Sequence, residues 1–111
     1  MPRYSYLVFT RPVAGREEEF NRWYTHQHLP DLLRVPGVVA AQRFRLAAEQ
    51  ANAPGSYLAV YEIDSDDIQR TLADIESRAG SAAMPLSEAL DMERVTTFVY
   101  AAITERQARR S

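Results

Sequence analysis

The sequence predicts an α+β fold in which four strands and two helices follow the order β-α-β-β-α-β. Four separate runs of aromatic and β-branched residues are typical of strands. One segment with helical signals lies between the first two runs, and another lies between the last two. This order is the ferredoxin-like arrangement, in which a four-stranded antiparallel sheet carries two helices on one face.

The first strand and the first helix are predicted from local patterns. Residues 4–10 form a strand whose apolar side chains occupy both parities, which favours burial on both faces of the sheet. The helix begins in the acidic turn 17–19, where carboxylates stabilise the positive end of the helix dipole. We expect it to end near His28, because Pro30 restricts the backbone of the residue before it. A short further turn over residues 31–34 is expected before the break at Pro36-Gly37.

The remaining elements form a hairpin, a second helix and a last strand. Strands at 38–46 and 57–63 flank a polar loop that contains proline and glycine. The acidic cluster 64–67 is a helix N-cap signal, and Gly80 fits the end of that helix. The inner face of the helix is expected to carry Ile68, Leu72 and Ile75. The fourth strand is predicted at 95–103.

The first and fourth strands carry apolar residues on both sides, although two helices cover only one face of the sheet. The other face would expose more than the few hundred Å² of apolar surface that monomers usually tolerate. We therefore predict a homodimer that pairs sheet against sheet. The loop 80–92 is long for a compact domain, and the sequence leaves open whether it closes over a ligand as a lid or only crosses one end of the fold.

Composition excludes several classes of function. The 111 residues carry 13 Lys and Arg against 15 Asp and Glu, which leaves no basic surface of the kind that binds nucleic acid. The chain has no cysteine, so disulfides, thiolate metal sites and cysteine nucleophiles are excluded. No apolar run approaches the roughly 20 residues of a membrane span, and the start of the chain does not read as a signal peptide. We expect one cytoplasmic domain over residues 1–111, without nucleic-acid or membrane partners.

Chemically versatile side chains concentrate in residues 20–31, FNRWYTHQHLPD. At about 100° per residue on a helical wheel, Trp23 and Tyr24 share one side and His28 lies at its margin. His26 falls on the opposite flank, so we predict that it is a surface residue. This H-x-H spacing does not bring two imidazoles to one metal as an i, i+4 pair does. With no third ligand evident, no metal site is predicted.

His28 is the strongest candidate for catalysis. Its place in the last predicted turn predicts a raised pKa, because the helix C-terminus stabilises the imidazolium. Asp31 is placed to hydrogen-bond one ring nitrogen and leave the other to move a proton, and Tyr24 is placed to polarise a carbonyl or enolate oxygen. A purely structural interpretation also stays open, in which His28 caps the helix while Trp23 and Tyr24 fill the core.

Residues on the strands supply further candidates for ligand binding. Arg43 lies in the middle of a strand and needs a partner, either an acidic residue across the dimer, which we favour, or an anionic ligand. Tyr6 and Tyr61 would suit a flat ligand, although strand tyrosines are commonly structural. The sequence contains no glycine-rich phosphate-binding motif and no GxSxG, so nucleotide, flavin and serine-hydrolase functions have no support.

Four short motifs follow one another in the first half of the chain: Trp23-Tyr24, His28-Leu29-Pro30, Pro36-Gly37 and Arg43. Together they resemble EthD-type proteins of the dimeric α+β barrel superfamily, over residues 4–63. The resemblance implies a dimeric α+β barrel whose ferredoxin-like protomers each hold a mostly apolar pocket between sheet and helices. It also implies chemistry on aromatic or carbonyl compounds, which several relatives perform without metal or organic cofactor. His28 matches the characteristic histidine of the family.

The combined prediction is a cofactor-independent enzyme of lyase, isomerase or cyclase type that acts on a small hydrophobic molecule. His28 is the general acid/base, Asp31 orients it and Tyr24 donates a hydrogen bond. The predicted substrate-binding residues are Trp23, Arg43, Tyr6 and Tyr61. Two alternatives remain, a non-catalytic dimeric binding or accessory protein and a cofactor-free oxygenase. Haem is not favoured, because a lone histidine at a helix end is a weak indication of axial ligation.

Overall fold

A computed structural model describes residues 2–110 of the chain. The strands are β1 (Arg3–Thr10), β2 (Val38–Arg45), β3 (Tyr57–Asp64) and β4 (Thr96–Ala101). The helical elements are α1 (Glu17–Trp23), a π-helical turn (Tyr24–His28), α2 (Leu29–Leu33), α3 (Ile68–Arg78) and a 3-10 turn (Met92–Arg94). The sheet order is β2-β3-β1-β4 with every neighbouring pair antiparallel. This topology confirms the predicted ferredoxin-like fold.

The first helical region continues farther than predicted. α1, the π turn and α2 follow one another without a break, so the helix does not end at His28. The backbone N–H of Leu29 donates to the carbonyl of Tyr24, five residues earlier, which closes the wider π turn. Pro30 then lies in the first turn of α2, directly after the wider π turn. The prediction of an end near His28 is therefore wrong, whereas the short turn predicted at 31–34 overlaps α2.

The second helix follows its sequence signals closely. The Asp67 side chain caps α3 by accepting a hydrogen bond from the backbone N–H of Arg70. Ile75 is buried on the inner face, and Ile68 and Leu72 pack against the core with partial exposure. Gly80 follows the helix at φ +85°, a conformation that favours glycine. The predicted start, inner face and end of this helix are confirmed.

The hydrophobic core lies between the helices and one face of the sheet. Side chains on this face include Val8 from β1 and three residues of β3, namely Ala59, Tyr61 and Ile63. They pack against Phe20, Tyr24 and Leu32 from the first helical region. Strand alternation produces this arrangement, because residues two apart point to the same side. Within residues 2–110, no helix is long and apolar enough to cross a membrane.

The opposite face of the sheet is open to solvent in the single chain. Phe98 is 47% exposed and Tyr100 is 60% exposed, both on β4. Phe44 on β2 is also exposed, and the rings of Phe9 and Phe98 lie 6.2 Å apart at an edge-on angle. The prediction that β1 is buried on both faces is therefore not met within one chain, because both helices pack on the other side. We call this surface the open face.

Candidate functional site

A cavity of about 190 Å³ lies between the helix-facing side of the sheet, the helices and the segment that follows α3. This segment comprises residues 79–91. We call it the central cavity. Its walls are mainly apolar and include Val8, Leu32, Ile75 and Met84. Polar groups reach it from a small set of residues that includes Tyr6, Thr10, Tyr24, His28, Tyr61 and Glu76. An apolar concavity with a few polar groups is the usual form of a site for a small ligand.

The segment after α3 forms one wall of the central cavity. Met84 and Leu90 are buried in this segment, and both line the cavity. The indole N–H of Trp23 donates to the carbonyl of Pro85 at 3.1 Å, and an isolated β-bridge joins Leu90 to Pro12. The loop that the sequence left open as a lid or a crossing is thus seated against the cavity and tied to the first helical region.

His28 contacts two aromatic rings at the cavity wall. Its imidazole stacks on Trp23 with 4.7 Å between centroids and meets the ring of Tyr24 edge-on at 4.9 Å. Its Nδ1 atom is buried without a hydrogen-bond partner. Burial lowers the pKa of His28 to about 4, and the charge of Asp31 offsets this only in part. His28 is therefore a neutral imidazole at neutral pH.

The predicted rise in the pKa of His28 is wrong. That prediction assumed a helix C-terminus at His28, whereas the helical region continues into α2. The backbone carbonyls of this turn are therefore not a free helix end that stabilises an imidazolium. Desolvation, which disfavours the charged form of a histidine, is the dominant effect instead.

Asp31 is buried but does not orient His28. Its carboxylate accepts hydrogen bonds from Gln27 Nε2 at 2.8 Å and from Arg34 Nη1 at 3.0 Å. These residues lie four positions before it and three after it, the spacings at which side chains on one helix meet. Because the helix continues through this region, Asp31 pairs along its own helix instead of with the imidazole. The predicted hydrogen bond to His28 is not formed.

Two tyrosine hydroxyls meet at the cavity. The Tyr61 hydroxyl donates to the Tyr24 hydroxyl at 3.1 Å, which leaves the proton of Tyr24 available to a ligand. Burial raises the pKa of Tyr24 to about 12 and raises the pKa of Tyr61 well above its usual value. Burial also raises the pKa of Tyr6, whose ring lies 6.1 Å from that of Tyr61. All three phenols are neutral hydrogen-bonding groups at neutral pH.

Arg43 packs on Tyr24 outside the central cavity. Its guanidinium lies 4.6 Å from the centroid of the Tyr24 ring and 5.3 Å from that of Tyr57. It donates to Asn21 Oδ1 at 2.8 Å and to Thr25 Oγ1 at 2.9 Å. Its partners are thus aromatic faces and polar groups of its own chain, and no acidic partner is found among residues 2–110. The structure does not bring Arg43 to the predicted ligand site, because Tyr24 separates them.

Of the predicted site residues, the structure brings five to the central cavity: Tyr6, Trp23, Tyr24, His28 and Tyr61. The residues that it adds include Thr10 and Glu76, which the sequence did not single out. Thr10 shares the strand parity of Tyr6 and Val8, and Glu76 lies one helical turn after Leu72. Both periodicities were visible in the sequence, but neither indicates which part of a buried face borders a cavity.

Comparisons with known proteins identify the fold. No family model and no curated protein matches the chain. MhuD, a haem degrader from Mycobacterium tuberculosis, superposes with a TM-score of 0.64 at 15% identity, covering 94% of this chain and 99% of that one. An EthD family protein from Bacillus halodurans C-125 has a TM-score of 0.57 at 12% identity, with 90% and 97% covered. SnoaB, a cofactor-independent oxygenase from Streptomyces nogalater, has a TM-score of 0.54 at 21% identity, with 97% of each chain covered.

At identities this low, what the superpositions establish is the fold. They extend over nearly the whole of each chain, so the likeness includes the segment after α3 as well as the first half. The resemblance to EthD-type proteins that was inferred from residues 4–63 is therefore confirmed for the fold. The chain has the same ferredoxin-like fold as these EthD family and EthD-like proteins.

Proposed function

We propose that this chain is a cofactor-free enzyme that binds a compact hydrophobic compound with an aromatic or carbonyl group in the central cavity. The observation that supports this most is the placement of His28 and the Tyr24–Tyr61 hydroxyl pair on one apolar cavity. A neutral imidazole can accept a proton, and a neutral phenol can stabilise an oxyanion by donating a hydrogen bond. Such hydrogen bonds are stronger in an apolar cavity than in water.

The proposed chemical step is a proton transfer to His28. A C–H bond next to a carbonyl breaks, its proton moves to a ring nitrogen of His28, and its electron pair moves onto the carbonyl oxygen. Tyr24 donates a hydrogen bond to that oxygen, and Tyr61 holds the Tyr24 hydroxyl in place. The new negative charge raises the pKa of the nearby imidazole in the complex. Return of the proton to another carbon atom completes an isomerisation. In a lyase reaction a leaving group departs from the neighbouring carbon and takes the proton from His28. In a cyclase reaction the enolate carbon attacks a second carbonyl of the same ligand, and His28 protonates the resulting alkoxide.

A cofactor-free oxygenase reaction would begin with the same proton transfer. The carbanion would then reduce dioxygen by forming a C–O bond, and the imidazolium of His28 would protonate the resulting peroxide. The description of SnoaB as a cofactor-independent oxygenase supports this variant. Dependence of turnover on dioxygen separates it from proton transfer alone.

A non-catalytic binding protein is the candidate from a different class. The pKa of about 4 at His28 favours this candidate. An imidazole of such low basicity is a weak general base, but it still forms hydrogen bonds to a ligand. In this case ligands bind in the central cavity without turnover. Substitution of His28 then changes affinity only.

Haem, which MhuD is described as binding, does not fit the central cavity as it stands. Pockets for drug-sized ligands have volumes of roughly 300–1,000 Å³, and haem is larger than most such ligands. The cavity has about 190 Å³ and is walled by the segment after α3. We therefore assign no step to haem and expect a compact ligand.

The open face supports a homodimer as the active assembly. Its exposed aromatic residues, which include Phe44, Phe98 and Tyr100, form an apolar surface that a second copy can cover. Because the central cavity lies on the other side of the sheet, pairing through the open face leaves each cavity accessible. The proposed assembly thus carries one site in each protomer.

The test is turnover of a panel of small aromatic ketones and phenols, with and without dioxygen. We expect His28→Ala to lower kcat by about 10²–10⁴-fold while the protein stays folded. His26→Ala is the matched control, because His26 is exposed and does not line the cavity. Binding without turnover would replace the enzymatic proposal with the binding protein, and equal activity of the two variants would remove His28 from the mechanism.

A further inference from the structure

Three buried side-chain polar atoms among residues 2–110 have no hydrogen-bond partner: Thr10 Oγ1, His28 Nδ1 and Asp64 Oδ1. Two of these three atoms belong to residues that line the central cavity, Thr10 and His28. Buried polar groups are nearly always paired, so each exception calls for an explanation. A polar ligand in the cavity would explain both together.

Thr10 is the less expected of the two residues. It is only 2% exposed at the end of β1, and its neighbours along the same side of the strand are the apolar or aromatic residues Val8 and Tyr6. Valine has nearly the same shape and would complete an apolar wall without burying a hydroxyl. In the ligand-free protein the unpaired hydroxyl therefore lowers the free energy of unfolding. A bound group that hydrogen-bonds to the hydroxyl would remove this cost.

A second buried threonine shows how the fold satisfies a hydroxyl that has a structural role. Thr71 on α3 is also buried. Its hydroxyl lies 2.8 Å from Ser65 Oγ and donates to the carbonyl of Asp67 at 3.3 Å. Thr10 has no such partners, although Gly55 packs so closely on it that a Cβ there would lie 2.8 Å from the backbone nitrogen of Thr10. The backbone of Thr10 is thus firmly placed, whereas its hydroxyl is not used by the fold.

The geometry points to Thr10 as a substrate-positioning residue whose hydroxyl bonds a second oxygen substituent of the ligand. This inference rests on the proposed function of the central cavity. Thr10 lies four residues along β1 from Tyr6, or about 13 Å of strand, and Tyr6 pairs with Tyr61 across the sheet. The two polar ends of the cavity are therefore separated by apolar wall. The ligand class is a compact aromatic compound with one oxygen group for Tyr24 and His28 and another for Thr10.

The experiment compares binding of 4-hydroxyacetophenone with that of acetophenone, which lacks the second oxygen. We expect the wild-type protein to bind the hydroxylated compound about three- to tenfold more tightly, the effect of one hydrogen bond. Thr10→Val should abolish this preference, and Thr10→Ser, which keeps the hydroxyl, should retain it. Calorimetry or ligand-observed NMR provides the dissociation constants.

Thr71→Val is the matched control for replacing a buried threonine. It removes two hydrogen bonds of the fold, so it should lower the melting temperature and leave the ligand preference intact. Thr10→Val removes none and should leave the melting temperature unchanged or higher. A merely structural role for Thr10 would instead lower the melting temperature of Thr10→Val as well.

Two outcomes overturn the inference, and they are distinguishable. If His28→Ala weakens binding of both compounds while Thr10→Val keeps the full preference, the role of Thr10 is wrong and the proposed function stands. If neither compound binds the wild-type protein and an aromatic-ketone panel also fails, the proposed function is wrong and the role of Thr10 falls with it.

Discussion

The hydroxyl of Tyr61 donates to the hydroxyl of Tyr24 at 3.1 Å, although the two residues are 37 positions apart in the chain. This bond links the central strand β3 to the π turn that also carries His28. Because Tyr24 is the acceptor, its own proton points to no protein group among residues 2–110. The direction of this one bond therefore makes Tyr24 the donor available to a ligand and Tyr61 its support.

Substitution of the two tyrosines should separate these roles. Loss of an oxyanion donor typically lowers kcat by about 10²–10³-fold, which is the decrease we expect for Tyr24→Phe. Tyr61→Phe leaves the Tyr24 hydroxyl in the cavity and should lower kcat by less than about tenfold, the effect of one supporting hydrogen bond. Steady-state kinetics on the same substrate tests this order. Equal losses in the two variants would contradict a distinct role for Tyr24.

The ionisation of His28 is the most direct test of the site. Burial lowers its pKa to about 4, so its imidazole should stay neutral when the pH is lowered from 7 to 5. NMR of the imidazole carbons in a labelled protein measures this, with the exposed His26 as an internal comparison. If kcat/KM depends on a neutral His28, it should fall only as the pH drops through about 4. A midpoint above pH 6 would show that the imidazole is solvated.

The same shift predicts how stability depends on pH. The pKa of His28 is about 4 in the folded chain and 6.5 in a model peptide, so the unfolded state binds the proton more readily between these values. The contribution to stability is present above pH 6.5 and is lost as the pH falls towards 4, by up to about 3 kcal/mol. Urea unfolding of the wild type and of His28→Gln should differ in slope across this window. Parallel pH profiles would rule out a buried neutral histidine.

Arg43 should matter for stability more than for ligand binding. Its guanidinium stacks on Tyr24 and bonds Asn21 and Thr25 without entering the cavity. Arg43→Lys keeps the charge but loses the planar fork, so we expect the free energy of unfolding to fall by about 1–2 kcal/mol. Ligand affinity should change by less than about threefold, because no direct contact is lost. Chemical denaturation measures the change in stability, and calorimetry measures the change in ligand affinity. A large loss of affinity at unchanged stability would place Arg43 in the ligand site.

The open face can be tested through the oligomeric state. A buried charge without a partner is strongly unfavourable, so Phe98→Glu should convert the proposed dimer to a monomer. Gln69→Glu adds the same charge at an exposed position of α3 and is the control. Sedimentation velocity distinguishes the two species. A wild-type protein that sediments as a monomer would contradict pairing through the open face.

The sequence predicted the fold better than it predicted the chemistry of the site. Strand alternation and the cap at Asp67 depend on neighbours within a few residues, and these predictions hold. The pKa of His28 was predicted from a helix end that does not exist. Asp31 was predicted to bond His28, whereas it pairs with Gln27 and Arg34 along the continuous helix. Both errors follow from the π turn, which allows Pro30 to continue a helix that local rules would end there.

By itself, the sequence determined the order of strands and helices, the concentration of aromatic and imidazole groups in residues 20–31, and the apolar character of both sheet faces. These properties follow from local periodicity and composition. Only the tertiary structure decided that His28 is neutral, that Tyr61 supports Tyr24, that Arg43 lies outside the cavity and that the Thr10 hydroxyl is unpaired. Desolvation and hydrogen bonding depend on groups that come together only when β1, β3, the helices and the segment after α3 pack around one cavity.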